Sequence, residues 1–442
     1  MIRLTIIRLM SMPDNPSRAM DDCFAFEGKR LLHHEAMGIL KERLPCISTI
    51  ETIPLENAGG RILAQSVTAT ANVPSYDNSA VDGYAFNFAD YEKLQGRFAV
   101  SDRIAAGSTD VSPLSPDSAV RIFTGAAIPA GADTVAMQED CSPAIEVTNG
   151  KEQETVTIPA GLKSGANLRR AGEDLKKGEE MMGSGQILRP QELAAIASIG
   201  LPRIEVFSKL RIALISSGDE IKRPGTKLES GQVYDSNHYL LLGLLDSLNI
   251  EVTDLNVLPD DANIVENTLS QAAQTHDVIL TTGGASLGEE DHIIDTLDRL
   301  GSRHLWQLAI KPGRPMSFGQ IGNSFVFGLP GNPVAAFVCF LLYVRPSLLR
   351  LGGGQWIEPQ RYMVPAGFDV PAKKPDRREF WRAWLENGED GSVLVKKFSR
   401  DGSGLVSGLR EATGLLEISE DVTSVKQGDL LAFIPFTEFG MK

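Results

Sequence analysis

The chain has 442 residues, 42% of them hydrophobic and 23% charged, with a formal net charge of −14. That length exceeds a single hydrophobic core and predicts roughly two to four domains of ordinary globular composition. The acidic balance argues against a nucleic-acid partner, and it means that any polyanionic ligand must be held by local cations against an unfavourable overall field.

Residues 1–28 carry Pro, Asp, Ser and Met without periodicity and read as a loose leader. Residues 30–44 predict an amphipathic helix with Leu32, Ala36, Ile39 and Leu40 on one face, ended by Pro45. From about residue 50 to 169, short β-prone runs (Phe98 to Val100, Val120 to Phe123, Thr134 to Met137, Thr155 to Ile158) alternate with Gly and Pro turns, the pattern of a β-rich module. Residues 190–200 predict a helix with Pro190 at its start and Gly200 at its end. From about 209 the pattern becomes β-α-β-α. Strands are predicted at Arg211 to Ser216, Glu251 to Leu258, Val278 to Thr282 and Phe325 to Gly328. Helices are predicted at Asp235 to Leu248, Asn263 to Thr275, Ile293 to Leu300 and Pro333 to Leu349, the last bent or ended at Pro346. Such alternation implies a doubly wound parallel sheet. After about 354 short strands and Gly-rich turns return, predicting a small closing β-domain. The four cysteines (Cys23, Cys46, Cys141, Cys339) lack metal-like or redox-like spacing and read as free buried thiols of a reducing compartment. The apolar start is broken by arginines, and the longest apolar stretch, Val334 to Val344, is too short for a bilayer; the reading is cytoplasmic, without a membrane partner.

Ligands of open parallel sheets bind beyond the carboxyl ends of the strands. Four strands here end in useful residues: Ser216 to Glu220, Pro259 to Asp261, the loop Gly283-Gly284-Ala285-Ser286 leading to Asp291, and Gly328 to Pro333. The Gly-Gly junction presents backbone amides to phosphate, and the acids after it would repel that phosphate unless a divalent cation lay between. Asn332 is placed to cap a helix that begins at Pro333 and points its amides at an anion. Lys311 and Arg314, around a Pro-Gly turn, read as a cationic clamp. In the β-rich module, Asp77 and Asp82 lie in a turn-rich stretch, and Arg121 to Gly125 ends a strand in Thr124 and a glycine. The run Arg378 to Trp384 mixes arginines with aromatics and reads first as barrel packing by Phe380, Trp381 and Trp384, with ligand contact by an arginine as the second reading.

These segments together resemble the molybdenum insertase family, which includes bacterial MoeA and the gephyrin E domain. The resemblance covers about residues 30–440 and rests on PSYDNSAVDGYA (74–85), FTGAAIPAGADTVAMQED (123–140), NLRRAGED (167–174), SSGDEI (216–221), YDSN (234–237), GGASLGEED (283–291), AIKPGRP (309–315) and FGLPGNP (327–333). It implies an α/β multidomain fold: an elongated helical domain (29–49 and 170–208), a β-rich domain inserted in it (50–169), a doubly wound molybdopterin-binding-like α/β domain (209–353) and a C-terminal β-barrel (354–442). It implies a homodimer that inserts molybdate into adenylylated molybdopterin with Mg²⁺ and release of AMP, and contacts with the molybdopterin adenylyltransferase and molybdoenzyme chaperones. Family positions tied to activity match Asp82, Thr124, Glu220, Asp260 and Asp291, with Glu220 and Asp291 as metal ligands. Substrate contacts match Gly283, Gly284, Ser286, Lys311, Arg314, Pro330, Asn332, Pro333 and Ser403. The chain departs from many relatives in carrying Gln307 and Arg314 where lysines are common. A molybdopterin adenylyltransferase would carry Thr-Gly after the Gly-Gly pair, where this chain has Ala285-Ser286. A clustering scaffold would carry an added interaction module, which nothing in the sequence supports.

Overall fold

The computed structural model describes residues 30–148, 151–283, 292–388 and 391–441. Its centre is a six-stranded sheet in the spatial order Ile250–Leu258, Leu210–Ser217, Val278–Thr282, Ser324–Leu329, Pro315–Ile321, Ser302–Gln307. The first four strands are parallel, as the sequence predicts. The last two are antiparallel additions, so the sheet is mixed. The cause is local: Gly322, at a φ of 58°, turns the chain with Asn323 between the apolar runs 315–321 and 324–329 and makes a hairpin.

The helices begin where the cap residues stand. Asp235 accepts from the amide of His238 to start Ser236–Leu245, and Asp261 accepts from Asn263 and Ile264 to start Ala262–Thr275. The apolar helix does not end at Pro346. Pro333–Cys339, Phe340–Val344 and Arg345–Leu351 run on, the middle piece as a π-turn that accommodates the missing Pro346 amide. Continuous from Pro333 to Leu351, it is long and apolar enough to cross a membrane, but 89% of it is buried within the fold, where it forms the main core.

The His33–Arg43 helix docks on that same core through Ala36, Met37 and Leu40. His33, beneath Phe380, shares a hydrogen bond of 2.7 Å with the Tyr343 hydroxyl. Burial pushes the imidazole down to about 4, against a small upward pull from Glu417. Because the unfolded histidine titrates near 6.5, the unfolded chain takes up a proton between that pH and about 4 that the native state refuses. Stability is expected to be unaffected by this group above pH 6.5 and to fall as pH drops towards 4. A His33→Gln variant should lose less thermal stability over that interval than the parent; parallel pH curves would disprove the assignment.

The β-rich module is a sheet ordered Thr134–Met137, Gly83–Phe86, Ser118–Ile122, Arg97–Ile104, Lys151–Thr157, Ser142–Thr148. Between it and the α/β sheet, the Gly-rich chain from 170 to 188 forms turns and short ladders. Ile50–Pro54 pairs with Arg203–Phe207 and Val67–Thr68 with Glu180–Met182, and the helix that follows this chain is the 9-residue Pro190–Ser198. The C-terminal strands Tyr362–Pro365, Leu430–Pro435, Gly414–Ile418, Arg378–Asn387 and Val393–Lys397 form a curled sheet, closed by a parallel bridge between Ala366 and Val395. Ile310–Lys311 leaves the α/β unit and pairs in parallel with Arg378–Glu379 of this barrel. Cys339 is buried as expected, whereas Cys46 is exposed and Cys141 half-buried; all three are free, and Cys23 lies outside the described residues.

Candidate active site

The carboxyl ends of three strands meet at Gly283. Its amide donates to Leu329 O at 3.2 Å, and a Cβ there would lie 2.5 Å from Ser217 O, so only glycine fits at its φ of 85°. Asn237 stitches the same edge, donating to Thr282 Oγ1 and to Gly331 O, both at 2.7 Å. The YDSN segment is therefore accounted for by a helix cap and a rim clamp. Beside it, Asp219 and Asp260 exchange backbone-to-carboxylate hydrogen bonds of 3.2 Å, and Glu220, exposed, folds its carboxylate back over Gly218. Glu220 and Asp260 thus share one end of the sheet. Gly284, Ser286 and Asp291 lie outside the described residues, within 284–291. Among the described residues no group of three or more His, Cys, Asp or Glu is placed to hold a metal. The carboxylates at this rim have the hard-oxygen chemistry that Mg²⁺ takes, as a few ligands completed by phosphate and water.

A cavity of about 260 Å³ opens where the rim meets the barrel. Lys311, Arg314, Pro330, Asn332 and Ser403 line it, bringing together predicted residues from three separate segments. Pro333 does not line this cavity but a second, mainly apolar groove. Asn332 occupies the cap position, but its side chain makes no capping bond. The helix amides are partly committed as well: Val334 N–H donates to Ser403 O at 2.9 Å, which docks the barrel loop on the helix start. Asp82 and Thr124 do not line this cavity. They form their own pair in the β-rich module, where the Thr124 amide and hydroxyl both donate to Asp82 Oδ1 at 2.7 Å and hold that carboxyl below its ordinary value. Asp77 is occupied by Arg170 and the Ala171 amide, pinning the NLRRAGED loop.

The cavity also contains Lys397, Arg400 and Asp401, which the sequence does not single out, and Arg382 from the run 378–384. Of the aromatic-basic run, the packing reading holds for Phe380 and Trp381, and one arginine of the run reaches the cavity. Phe380 and Trp381 are buried in cores, while Arg382, 6% exposed, donates to Leu405 O at 2.9 Å and Arg400 O at 2.6 Å and lies over the Phe398 ring. Burial depresses the Arg382 guanidinium, partly countered by Asp401. Burial raises the Asp401 carboxyl, but the Lys397 hydrogen bond, with Lys311 and Arg382 nearby, holds it below its usual value. Five basic side chains (Lys311, Arg314, Arg382, Lys397, Arg400) thus face one carboxylate. Alternation along Arg378–Asn387, which sets arginines among aromatics, was the available signal.

A wound α/β sheet with a carboxylate rim, next to a cationic cavity roofed by a barrel, defines a modular anion-handling protein. The chain belongs to the MoeA family. It matches the MoeA N-terminal region (domain I and II) over 32–200, the probable molybdopterin binding domain over 213–350 and the MoeA C-terminal region (domain IV) over 364–436. It is 35% identical over 403 residues to the molybdopterin molybdenumtransferase of Haemophilus influenzae, covering 91% of this chain and 98% of that one. It is 33% identical over 392 residues to molybdopterin molybdenumtransferase 2 of Mycobacterium tuberculosis, covering 86% and 93%. Among solved structures it is similar to the molybdopterin biosynthesis moeA protein of Pyrococcus horikoshii OT3, with TM-score 0.75, 28% identity and coverage of 92% and 100%.

Proposed function

We infer that the protein is a molybdopterin molybdenumtransferase, inserting molybdate into adenylylated molybdopterin with release of AMP. The observation that carries this reading is the cationic cavity at the sheet rim in a chain of net charge −14, on a scaffold shared with proteins of that name. A dianion is stable there because fixed positive groups in a partly water-excluded cleft act at reduced screening. Lys311, Arg314 and Arg400 offset the molybdate charge, Ser403 supplies a hydroxyl, and Arg382 holds the loop that carries Arg400 and Ser403. Pro330 and Pro333 stiffen the turn on which Asn332 faces the oxyanion.

The Gly283-Gly284-Ser286 loop receives the phosphoanhydride of the pterin nucleotide, and Asp260 orients the water that attacks it. Glu220 and Asp291 would hold Mg²⁺, which when bound supplies Lewis-acid polarisation of that anhydride. Asp82 and Thr124 would act across a homodimer interface, completing the site of a second copy. The three free thiols accord with a reducing cytoplasm, and exchange with the adenylyltransferase and with molybdoenzyme chaperones follows from a labile substrate and product.

Purified protein given adenylylated molybdopterin, Mg²⁺ and molybdate is expected to release AMP in proportion to the cofactor that reconstitutes a molybdoenzyme. Failure to release AMP above a no-protein blank would sink the reading.

A further inference from the structure

A second cavity, of about 450 Å³, shares the Lys311–Arg314 turn with the first and is otherwise built from different residues. Its charged lining is Arg30, Lys311, Arg314, Lys374 and Arg377 against Asp376. Behind it, the buried Glu379 offsets part of that charge, 3.1 Å from Arg377 and 3.7 Å from Lys311. Arg30, Arg314 and Lys374 have no side-chain partner among the described residues. In a chain with 43 basic and 57 acidic residues, such a concave, under-neutralised cluster opposes the overall field.

The cluster is built rather than adventitious. Three extended segments lie side by side: Leu31 bridges Leu308 in parallel, and Ile310 pairs in parallel with Arg378. The hydrogen bonds Leu31 N to Gln307 O (3.0 Å), Ala309 N to Leu31 O (2.8 Å) and Arg378 N to Ala309 O (2.9 Å) set Arg30 and Arg377 at either side of the Lys311 ribbon. The loop carrying Lys374 and Arg377 is fixed from beneath by Lys373, 7% exposed, whose ammonium donates to Lys374 O, Arg377 O and Ser419 O at 3.3, 3.1 and 2.9 Å. Buried and tripled in its bonds, Lys373 spends its donors on the loop and leaves the neighbouring cations directed outward. Five cationic side chains set against two carboxylates, Asp376 and Glu379, match a tetrahedral oxyanion. No aromatic ring lines the cavity among the described residues, so the group recognised is the anion and not a heterocycle.

We propose that this cavity is a second oxyanion site, for a phosphate-type group, distinct from the cavity at the sheet rim and independent of the activity inferred above. The test is calorimetric titration of the full chain with inorganic phosphate. Arg30→Glu with Lys374→Glu, both exposed positions, should weaken one class of phosphate sites at least tenfold, whereas Arg400→Glu in the other cavity should leave that class within twofold. The same titration with AMP separates the sources: affinity equal to that of phosphate marks a free anion, and affinity ten times tighter marks a nucleotide phosphate. Phosphate binding unchanged in the double variant, or lost equally in Arg400→Glu, would overturn the proposal. AMP release from adenylylated molybdopterin, measured on the same samples, reports on the transferase reading separately.

Discussion

Replacing Arg382 by Gln is expected to lower AMP release by at least about 100-fold, the loss seen when one preorganised donor is removed from an electrostatic site. The side chain does two things at once. Its guanidinium contributes positive charge to the cavity, and its fork ties Leu405 O and Arg400 O together, which holds the 400–405 loop over the α/β rim. Glutamine keeps some hydrogen bonding and loses both the charge and the second fork. Arg382→Lys keeps the charge but cannot span both carbonyls, so its turnover should fall between the parent and Gln. The KM for molybdate should rise along the same series. Turnover within threefold of the parent for the Gln variant, in protein whose melting temperature shows it to be folded, would remove Arg382 from the site.

Gly313→Ala is expected to cost several kcal/mol of stability and to disable both cavities that share its turn. The residue has φ of +108°, where a Cβ is strained, and that Cβ would meet Cys339 Sγ at 2.5 Å and Ile310 Cδ1 at 3.0 Å. Backbone strain adds about 1–2 kcal/mol and overpacking about 1–3 kcal/mol. Cys339 is fully buried, so the sulfur cannot swing out; burial pushes its thiol pKa upward, and its sulfur donates to the Gly313 carbonyl at 3.5 Å. Adding Cys339→Ala should therefore recover the packing share of the loss and leave the conformational share. Chemical denaturation of the parent, both single variants and the double variant measures this coupling; strictly additive effects would show that the sulfur is not the obstacle.

The wound core was legible because three of its helices carry their own start signals. Asp235, Asp261 and the Asn332-Pro333 pair stand within a residue of the observed helix starts, and the runs at 278–282 and 251–258 are too apolar or β-branched for surface loops. The rim was legible for the same reason, since its useful residues follow directly on strand ends. What escaped was whatever depends on chain segments far apart. The antiparallel strands 302–307 and 315–321 pair across the basic turn at 311–314, and the local mark of this arrangement is the Gly322-Asn323 hairpin turn. Lys397 and Arg400 belong to a barrel whose curvature alone carries them over the α/β unit, and no local spacing reports that. Asn237 looked like part of a recognition motif, and its geometry makes it a clamp between Thr282 and Gly331. Alternation placed Phe380 inside but could not tell which neighbouring polar groups would face a cavity.

The loan of Ile310–Lys311 to the edge of Arg378–Asn387 has a consequence for how this architecture can be taken apart. A barrel cut free at its sequence boundary would expose the backbone donors and acceptors that this short ribbon satisfies, a sticky border that invites pairing with other chains. Genetic shuffling of the terminal module would thus need to carry the ribbon with it, or supply a substitute. The two units are better regarded as a single heritable block than as beads on a string.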